Sequence, residues 1–434
     1  MNKKSTADDD YATTRVPMTA RFSFMTVTLI RIGQWTSLSQ FMLGAMLGHA
    51  MTFEQAMLAT VLGSLLLEFL SFGLGLAGAR EGLSISLLSR WCGFGRCGSA
   101  LIGIMIAISL LGWFGIQNAI LANSLDYALN KRLGFGWSAA LAGITLTLLV
   151  ALGFRALNWT AKVSVPLFSL VIGWISLELM QNHNMSDLMT SVPTGVALSL
   201  GAAVTAVTGG CMTGAFTTPD ISRYCQNGRH VFWMTVISII VGEFIVNGIA
   251  ILIAHALNTS DVVTIMGQTA GWIGLLTVIL SAVKINDINL YSSTLGIASA
   301  VEGVTGKKWR YTWLTILLGI TGTTLSVMGI LEQFTPFLIL LGVVFPPIIG
   351  VMLVDYYILR TSRALLDTTR ITETLPAAGS TPWVNWLAIA AWIIGSLVGL
   401  TVEWGIPSLN SLLVASVFYW ITGSVKKICH DKNQ

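Results

Sequence analysis

The sequence predicts an all-α integral membrane protein with about twelve transmembrane helices, and three observations lead to this fold class. Of the 434 residues, 54% are hydrophobic and only 10% are charged, whereas average soluble domains carry about 25% charged residues. Apolar runs of membrane-spanning length recur along the whole chain. Lys and Arg fall on alternate loops between these runs. The composition excludes a soluble enzyme and a disordered chain.

The apolar runs define the predicted spans in chain order. Each run is long enough for a helix that crosses the hydrocarbon core, which takes about 20 residues. We predict spans at residues 22–48, 53–77, 98–125, 136–154, 161–180, 195–217, 231–256, 270–300, 311–331, 334–358, 383–402 and 407–424. Residues 1–21 and 425–434 are predicted to be polar tails at the two ends.

The basic residues predict the orientation of these spans. Twenty of the 24 Lys and Arg residues lie on the two tails or on one alternating set of loops, and only Lys131 and Arg132 lie on the other set. Cytoplasmic loops are enriched in Lys and Arg, so we expect a multi-pass protein of the cell inner membrane with both termini in the cytoplasm. Because the net charge of +4 comes mostly from loop residues, nucleic acid is not expected as a partner.

The cysteines predict neither a disulfide framework nor a metal site. They are scattered, form no CxxC pair, and have no His beside them at metal-ligand spacing. No cofactor is therefore expected. The five positions are Cys92, Cys97, Cys211, Cys225 and Cys429.

The first and sixth spans are each interrupted by small residues, at residues 31–37 and 208–214. Gly and hydroxyl residues in the middle of a membrane permit local unwinding, which survives only where the freed backbone groups line a cavity or meet a ligand. Two broken helices five spans apart suggest an inverted repeat of residues 22–180 and 195–358, followed by a helix pair at 383–424. The alternative is that these small residues only let helices pack closely.

The third span carries a candidate site for a planar ring. Trp113 and Gln117 are four residues apart and share one helix face. An indole can stack on a flat ring while an amide reads the donors and acceptors at its edge. The alternatives are a tryptophan at the membrane interface and a glutamine that bonds a neighbouring helix.

The eighth span contains the densest polar cluster within any apolar run, formed by Ser281, Lys284, Asn286, Asp287 and Asn289. A charge at the bilayer centre costs about 2.5 to 3.5 kcal/mol on insertion scales, so such residues are candidates for function. Lys284 and Asp287 are three residues apart and are predicted to neutralise each other, either at a coupling site or as a purely structural ion pair.

Isolated charges occur inside three other spans. Arg31 stands alone in the first span, and either Glu68 or Glu243 is a candidate partner for it. The sequence leaves the roles of all three open.

In order and spacing, these features resemble the nucleobase:cation symport family, which is also the purine/cytosine permease family. The resemblance runs from about residue 15 to the end and is greatest to the bacterial cytosine permeases. It is carried by the broken spans and by short elements at Gly78–Leu83, Gly112–Gly115, Asp220–Arg223, Asn286–Ser292 and Phe345–Gly350.

The resemblance implies a LeuT-like fold, with ten helices in a 5+5 inverted repeat, two further C-terminal helices, and the substrate near the midplane. It implies that Trp113 stacks on the substrate and that Gln117 contacts it. It also implies contacts from the break of the sixth span and from the eighth span, namely Gly210, Cys211, Thr213, Asn286 and Asn289.

The same resemblance implies a sodium site between the first and eighth spans. Carbonyls of Gly33 and Thr36 align with its ligands in the first span, near Ser281 and Asp287 of the eighth. The hydroxyl pair expected in the eighth span falls on Lys284 and Ile285, neither of which offers a neutral side-chain oxygen. We hypothesise that the Lys284 ammonium fills the sodium position, which makes transport independent of sodium; a Lys284 that loses its proton would make it proton-coupled.

The predicted function is a secondary active transporter, or permease, that imports a nucleobase such as cytosine by alternating access, coupled to H⁺ or Na⁺. Cys211 and Gly210 offer fewer side-chain hydrogen bonds than the hydroxyls usual in cytosine permeases. The alternative substrates for a transporter of the same fold are therefore a purine, hydantoin, allantoin or a thiamine-precursor pyrimidine. A membrane enzyme and a channel are the alternatives of other classes, but the five His residues are dispersed and no filter motif occurs.

Overall fold

The computed structural model describes residue 11 and residues 14–152, 157–305, 307, 309–402 and 404–431. Every regular element within these residues is helical. The predicted polar tails lie outside the described residues at 1–10, 12–13 and 432–434.

The helices are named here in chain order. They are α1 (Phe24–Trp35), α2 (Leu38–Ala50), α3 (Phe53–Glu81), α4 (Ile85–Ser89), α5 (Gly95–Ala128), α6 (Phe135–Ala151), α7 (Leu157–Asn182), α8 (Met185–Thr190), α9 (Leu200–Gly210), α10 (Met212–Phe216), α11 (Thr218–Ser222), α12 (Gly228–Ile239), α13 (Asn247–Leu257), α14 (Val262–Thr305), α15 (Tyr311–Val327), α16 (Phe334–Leu353), α17 (Arg363–Ile371), α18 (Trp386–Thr401) and α19 (Pro407–Asp431). Short π-helical turns occupy Arg90–Phe94, Ile240–Val246 and Val354–Leu359, and 3₁₀ turns occupy Met18–Ala20 and Ala378–Ser380.

Several of these elements are suited to cross a membrane. Six segments of the described chain are long and apolar enough, namely Phe53–Glu81, Ile85–Ala128, Gly228–Leu257, Val262–Glu302, Phe334–Leu359 and Pro407–Ile428. Four further apolar helices of 10–17 residues are α6, α9, α15 and α18. A multi-pass membrane protein follows from these segments, whereas the number of twelve spans stays a prediction.

The first predicted span is broken. Helix α1 ends at Trp35 and α2 begins at Leu38, and the two residues between them leave helical geometry. Thr36 closes α1 by donating its N–H to the Ile32 carbonyl, and Ser37 is extended. The interruption expected from the small and hydroxyl residues of this span is present.

The sixth predicted span is broken as well. Helix α9 ends at Gly210, Cys211 has φ −104° and ψ 5°, and the short helix α10 follows. The two breaks lie five spans apart, as the sequence predicts. The repeat boundaries at 22–180 and 195–358 and the separate pair at 383–424 stay predictions.

Two helices differ from the predicted boundaries. Helix α14 begins at Val262 rather than near residue 270, because Gly271 adopts φ 55° and ψ −134° and joins two helical stretches across a kink. Glycine reaches this positive φ at no steric cost. Helix α19 continues to Asp431, so the polar tail predicted at 425–434 is helical as far as that residue.

Close helix contacts place the elements of the site. Helix α14 packs along α5, α2 packs on α13, and α9 packs between α3 and α16. A Cβ added to Gly209 would meet the Leu338 carbonyl oxygen, and one added to Gly44 would lie 2.8 Å from Ala250 Cβ. Small residues therefore let α9 and α2 approach their neighbours at backbone distance.

Candidate functional site

One face of α5 connects the two breaks. Ser109, Trp113 and Gln117 recur every four residues and are all buried. The Ser109 hydroxyl lies 3.1 Å from the Thr213 hydroxyl, just beyond the break of the sixth span. Gln117 Nε2 donates to Ser39 Oγ at 2.6 Å, just beyond the break of the first span. A single helix face therefore meets both interrupted segments.

The Trp113 ring is fixed by two phenylalanines of α16. Its centroid lies 6.1 Å from that of Phe334 and 5.5 Å from that of Phe337, with the planes at 73° and 84°. Such perpendicular contacts are a favoured arrangement of aromatic rings. Since Trp113 is only 7% exposed, the alternative of a tryptophan anchored at the membrane interface is wrong.

Only one of the two polar atoms of the Gln117 amide has a hydrogen-bond partner within the described chain. Its amide nitrogen bonds α2, as the alternative interpretation expected, but its Oε1 is buried and has no hydrogen-bond partner among the described residues. A buried acceptor without a partner costs about 1–3 kcal/mol. Gln117 Oε1 is therefore a buried acceptor that no group of the described chain satisfies.

The break of the sixth span lies against α2. The Cys211 thiol donates to Gln40 Oε1 at 2.9 Å, and a Cβ added to Gly210 would lie 3.0 Å from Leu43 Cδ2. With the Thr213 hydroxyl beside Ser109, the three residues predicted from this break lie between α2 and α5. Their contacts with a substrate stay predictions.

The two asparagines of α14 differ in their surroundings. The Asn286 amide lies on the backbone of α5, where in its favourable orientation it donates to the Phe114 carbonyl at 3.3 Å and accepts from Asn118 N–H at 3.1 Å. Asn289 is also buried, and its Nδ2 has no partner within the described chain. Asn286 thus contributes to helix packing, while Asn289 keeps two free donors; their roles as substrate contacts stay predictions.

The expected ion pair of α14 is absent. Lys284 and Asp287 are both half-buried, and no salt bridge joins them in the part of the chain that the structure describes. A helical pair with the basic residue first is the less favourable order, because the acidic residue then lies nearer the negative helix end. The prediction that the two side chains neutralise each other is wrong.

The other residues predicted for the ion site lie at or beside the first break. Thr36 Oγ1 is buried without a partner among the described residues, and the space around Gly33 Cα is open. Ser281 is buried on α14, which packs against α2. A cation site at this place stays a prediction.

Arg31 links α1 by hydrogen bonds to the segment that follows the sixth-span break. Its guanidinium is fully buried and donates to the Gly214 carbonyl at 2.8 Å, to Thr218 Oγ1 at 2.8 Å and to Gln34 Oε1 at 3.0 Å. It also lies 4.9 Å from the centre of the Trp35 ring. No salt bridge joins Arg31 to Glu68 or Glu243 within the described residues, although Glu68 lies close enough to interact with the Arg31 charge. Carbonyls and a ring replace a carboxylate as its direct partners.

A cavity of about 300 Å³ reaches the aromatic end of the site. It lies between α2, α5 and the start of α16, and its lining includes Met42, Ile120 and Phe334. Phe334 is one of the rings that hold Trp113. The cavity adjoins residues 260–263, where the chain enters α14, on the side predicted to face away from the cytoplasm.

Sequence reasoning missed the polar residues that complete the cluster. Ser109 lies one helical repeat before Trp113, so the spacing that identified Gln117 also identifies Ser109. Ser39 and Gln40 directly follow the first break. Their pairing with Gln117 and Cys211 depends on contacts between distant helices, for which a single sequence carries no signal.

Comparisons with known proteins agree with this architecture. A family profile described as "Permease for cytosine/purines, uracil, thiamine, allantoin" matches residues 21–421. The chain is 26% identical over 421 residues to the cytosine permease of Escherichia coli strain K12, an alignment that covers 96% of this chain and 95% of that protein.

Solved structures show the same fold. The inward-facing conformation of Mhp1 matches with a TM-score of 0.80 at 17% identity, over 98% of this chain and 96% of the other. Mhp1, a nucleobase-cation-symport-1 family transporter, in a closed conformation with bromovinylhydantoin bound matches with a TM-score of 0.70 at 18% identity, over 95% and 93%.

These comparisons confirm the predicted fold class and the resemblance to the nucleobase:cation symport family. Because the matched family and the cytosine permease are transporters, the prediction of a permease rather than an enzyme is also confirmed. The profile covers nearly the whole chain, including both breaks and the α5 cluster. The chain belongs to the family of permeases for cytosine and purines, uracil, thiamine and allantoin.

Proposed function

We propose that this permease imports a nucleobase, with cytosine as the leading candidate, by alternating access driven by an ion gradient. The observation that carries the proposal is the buried face of α5 that joins both breaks through Ser109, Trp113 and Gln117. Broken helices of transporters hold their substrates at such places. The indole supplies a stacking surface for a flat ring.

The unpaired polar atoms suit the edge of cytosine. Cytosine carries an exocyclic amino donor, and Gln117 Oε1 is a buried acceptor without a partner in the described chain. Asn289 Nδ2 is a buried donor in the same condition and can serve a ring acceptor. A base that satisfies both removes the cost of leaving them unpaired.

The same site also supports another planar heterocycle as cargo. The Cys211 thiol is already engaged with Gln40, so the sixth-span break offers a ligand few side-chain groups besides the Thr213 hydroxyl. This favours a ring read mainly by stacking and by backbone groups. Purine, hydantoin, allantoin and a thiamine-precursor pyrimidine are the competing cargoes.

For the membrane, we propose the cell inner membrane with both termini cytoplasmic. The concentration of Lys and Arg on one alternating set of loops supports this orientation.

Uptake of labelled cytosine tests the cargo. Cells that lack their own cytosine permease and express this protein should accumulate cytosine saturably. Unlabelled adenine, hydantoin and allantoin serve as competitors that rank the other cargoes. Cells that accumulate one of these rings but no cytosine would contradict cytosine as substrate and keep the site.

We also propose that Lys284 replaces the coupling sodium ion. Its half-buried ammonium has no carboxylate partner in the described chain, and neither Lys284 nor Ile285 offers a neutral side-chain oxygen. The proposal places the Lys284 ammonium against carbonyls of the first break. Hard cations such as sodium need oxygen ligands, which the side chains at positions 284 and 285 do not supply.

The sodium requirement tests this second proposal. Wild-type uptake should be equal in sodium-containing and sodium-free buffer at one pH. Lys284→Thr supplies a hydroxyl instead of the charge and should lose sodium-free uptake while gaining a response to sodium. Lys284→Met supplies neither and is the matched control, with weak uptake in both buffers. Full sodium-free uptake by Lys284→Thr would contradict the proposal.

A further inference from the structure

Glu243 is a carboxyl group buried in the middle of a membrane segment. It lies in the π-helical turn Ile240–Val246, between α12 and α13, and is 0% exposed. Single π-helical turns inside helices are frequent at functional sites. Acidic residues within spans are rare because of their cost and usually carry a function. Neither the proposed base contacts nor the proposed role of Lys284 uses this group.

A chain of hydrogen bonds connects Glu243 to the sixth-span break. Asn247 Nδ2 donates to Glu243 Oε2 at 3.1 Å, and Gln40 Nε2 donates to Asn247 Oδ1 at 2.9 Å. Cys211 Sγ donates to Gln40 Oε1 at 2.9 Å. The carboxyl therefore stands at one end of a buried polar chain whose other end lies among the predicted base contacts.

The turn also touches the first break. A Cβ added to Gly242, the neighbour of Glu243, would lie 2.9 Å from Trp35 Cβ and 3.2 Å from the Trp35 carbonyl oxygen. Trp35 is the last residue of α1. Glu243 thus belongs to an element that contacts both interrupted segments, so a rearrangement of either break changes its surroundings.

No cation compensates Glu243 within the described chain. Its Oε1 is buried without a hydrogen-bond partner among these residues. The side chains that interact with the carboxyl, Asn247, Gln40 and Cys211, are all neutral. An ionised carboxylate without a cation bears most of the cost of burial, whereas the protonated acid does not. The pocket seen here therefore suits the protonated form.

Apart from the Cys211 thiol, the titratable groups of the neighbouring elements are engaged elsewhere or lie at the ends of their helices. On α1, Arg31 donates to backbone and hydroxyl oxygens, and on α3, Glu68 accepts from Thr235 Oγ1 at 2.7 Å. The neutral Cys211 thiol lies close enough to interact with the Glu243 carboxyl directly, in addition to the path through Gln40 and Asn247. At the outer ends of α2 and α13, His49 contacts Thr194, and His255 bonds the Leu188 and Met51 carbonyls. On α12, Arg229 and His230 lie in the first turn, more than three turns before Glu243, and the His230 ring packs on Phe24.

We propose that Glu243 binds the proton that is transported together with the base. This inference rests on the proposed import of a base and names the coupling site. A proton from water outside forms an O–H bond with the ionised carboxylate, and the bond breaks to water on the inside once the breaks have rearranged. Charge balances with one proton moved per carboxyl. The base at the Cys211 end and the proton at the Glu243 end each favour binding of the other, because linkage is reciprocal.

Sodium-free proteoliposomes that contain the full-length protein test the coupling. With the outside more acidic by one pH unit and the membrane potential held at zero by potassium and valinomycin, wild-type protein should accumulate labelled cytosine about tenfold at one proton per base. A trapped pH dye should show acidification when cytosine is added. Glu243→Gln keeps the shape without the titratable group. It should still exchange labelled for unlabelled cytosine while its accumulation ratio falls to about one.

Glu68→Gln is the matched control, because Glu68 is the other carboxyl in an apolar span whose second oxygen lacks a partner in the described chain. It should keep accumulation. The proposal would be overturned if Glu243→Gln accumulated cytosine at the wild-type level. It would also be overturned if Glu68→Gln lost accumulation while Glu243→Gln kept it, or if the wild type exchanged cytosine without accumulating it under the pH gradient. If Glu243→Gln does not fold, Glu243→Asp replaces it in the test. This variant keeps a carboxyl and should still accumulate cytosine. Exchange without accumulation by Glu243→Asp would count against Glu243.

Infrared spectra distinguish an incorrect assignment of the proton site from an incorrect assignment of the transported base. Wild-type protein in lipid should show the C=O stretching band of a protonated carboxylic acid, and Glu243→Gln should lack that band. An identical band in both proteins would overturn the assignment of the proton to Glu243. Absence of cytosine exchange by the wild type, with the band lost in Glu243→Gln, would contradict the proposed cargo and keep the proton site.

Discussion

Trp113 is oriented before any ligand binds. Two perpendicular phenylalanine contacts and near-complete burial hold its ring on the face of α5 that carries Ser109 and Gln117. A ring that does not have to be ordered on binding saves the entropy of fixing a side chain. The stacking surface is therefore preorganised.

Replacing this ring should weaken substrate binding specifically. Stacking of a base on an aromatic side chain is worth about 1–3 kcal/mol by alanine substitution, so Trp113→Ala should raise the KM for cytosine by about 5- to 150-fold. Trp113→Phe retains a π face and should lie between this variant and wild type. Trp137→Ala, at a ring that is 74% exposed on α6, serves as the control and should leave KM unchanged. Equal KM values for Trp113→Ala and wild type in the uptake assay would show that no base stacks there.

At the residue scale, the sequence was sufficient to predict which side chains share one helix face. It was not sufficient to predict which side chains contact one another across helices. The four-residue spacing was sufficient for Trp113 and Gln117. A carboxylate partner was predicted for Arg31, yet its guanidinium hydrogen-bonds a carbonyl and a hydroxyl from beyond the sixth-span break, and Glu68 interacts with it only at longer range. Proximity along the chain or opposite charge does not determine which groups meet in a folded bundle.

At the scale of elements, the π-helical turn Ile240–Val246 has no tolerance for extra volume beside the first break. A Cβ at Gly242 would press on the Trp35 backbone, which cannot rotate away as a side-chain end can. At Gly248 of the following helix the nearest atom is Met57 Sδ at 3.9 Å, which is ordinary contact. Two glycines of one span therefore differ in what a methyl group would meet.

The same substitution should accordingly have opposite effects at the two positions. Gly242→Ala should destabilise the protein by about 1–3 kcal/mol through overpacking and should lower the rate of cytosine uptake. Gly248→Ala should stabilise it by up to about 1 kcal/mol, because alanine has the higher helix propensity. Thermal unfolding in detergent and initial uptake rates measure both. Equal unfolding temperatures would contradict the close contact between the turn and Trp35.

Breaks were easier to predict than helix ends. Small and hydroxyl residues inside an apolar run marked both interruptions, because an unwound backbone in a membrane needs such residues. Hydropathy did not mark the start of α14 before Gly271 or the continuation of α19 to Asp431. Hydropathy reports where lipid can surround a helix, whereas a helix can continue into water for as long as its backbone bonds persist.

At the scale of the whole molecule, composition and loop charge were enough for the fold class, but they did not reveal how distant segments are joined. The clearest example is the Glu81 cluster, formed by Glu81 with Arg15, Tyr356 and Arg370. Glu81 Oε2 lies 3.0 Å from Arg15 Nη1, while Oε1 accepts from Tyr356 OH at 2.7 Å and lies 3.2 Å from Arg370 Nη1. Burial lowers the pKa of Arg15, and the hydrogen bond with Glu81 counteracts this effect. The cluster ties the N-terminal segment to the end of α3 and to α17.

Removing Glu81 should therefore destabilise the assembly far more than removing a surface acid nearby. Glu81→Ala leaves the buried Arg15 guanidinium without its counterion, and breaking a buried pair in this way costs about 3–5 kcal/mol. Asp367, whose side chain is 37% exposed, pairs with Arg80 and Arg370 at the surface, so Asp367→Ala should cost about 0–1 kcal/mol. Thermal unfolding of the purified variants compares the two.

A double variant separates the lost charge pair from lost packing. Arg15→Met combined with Glu81→Leu removes both charges while keeping the volume, and apolar replacement of a buried pair is often neutral. It should therefore unfold at a higher temperature than Glu81→Ala alone. If Glu81→Ala and Asp367→Ala lowered the unfolding temperature equally, the cluster would be a set of surface contacts. In that case the N-terminal segment would not depend on Glu81 for its attachment to α3 and α17.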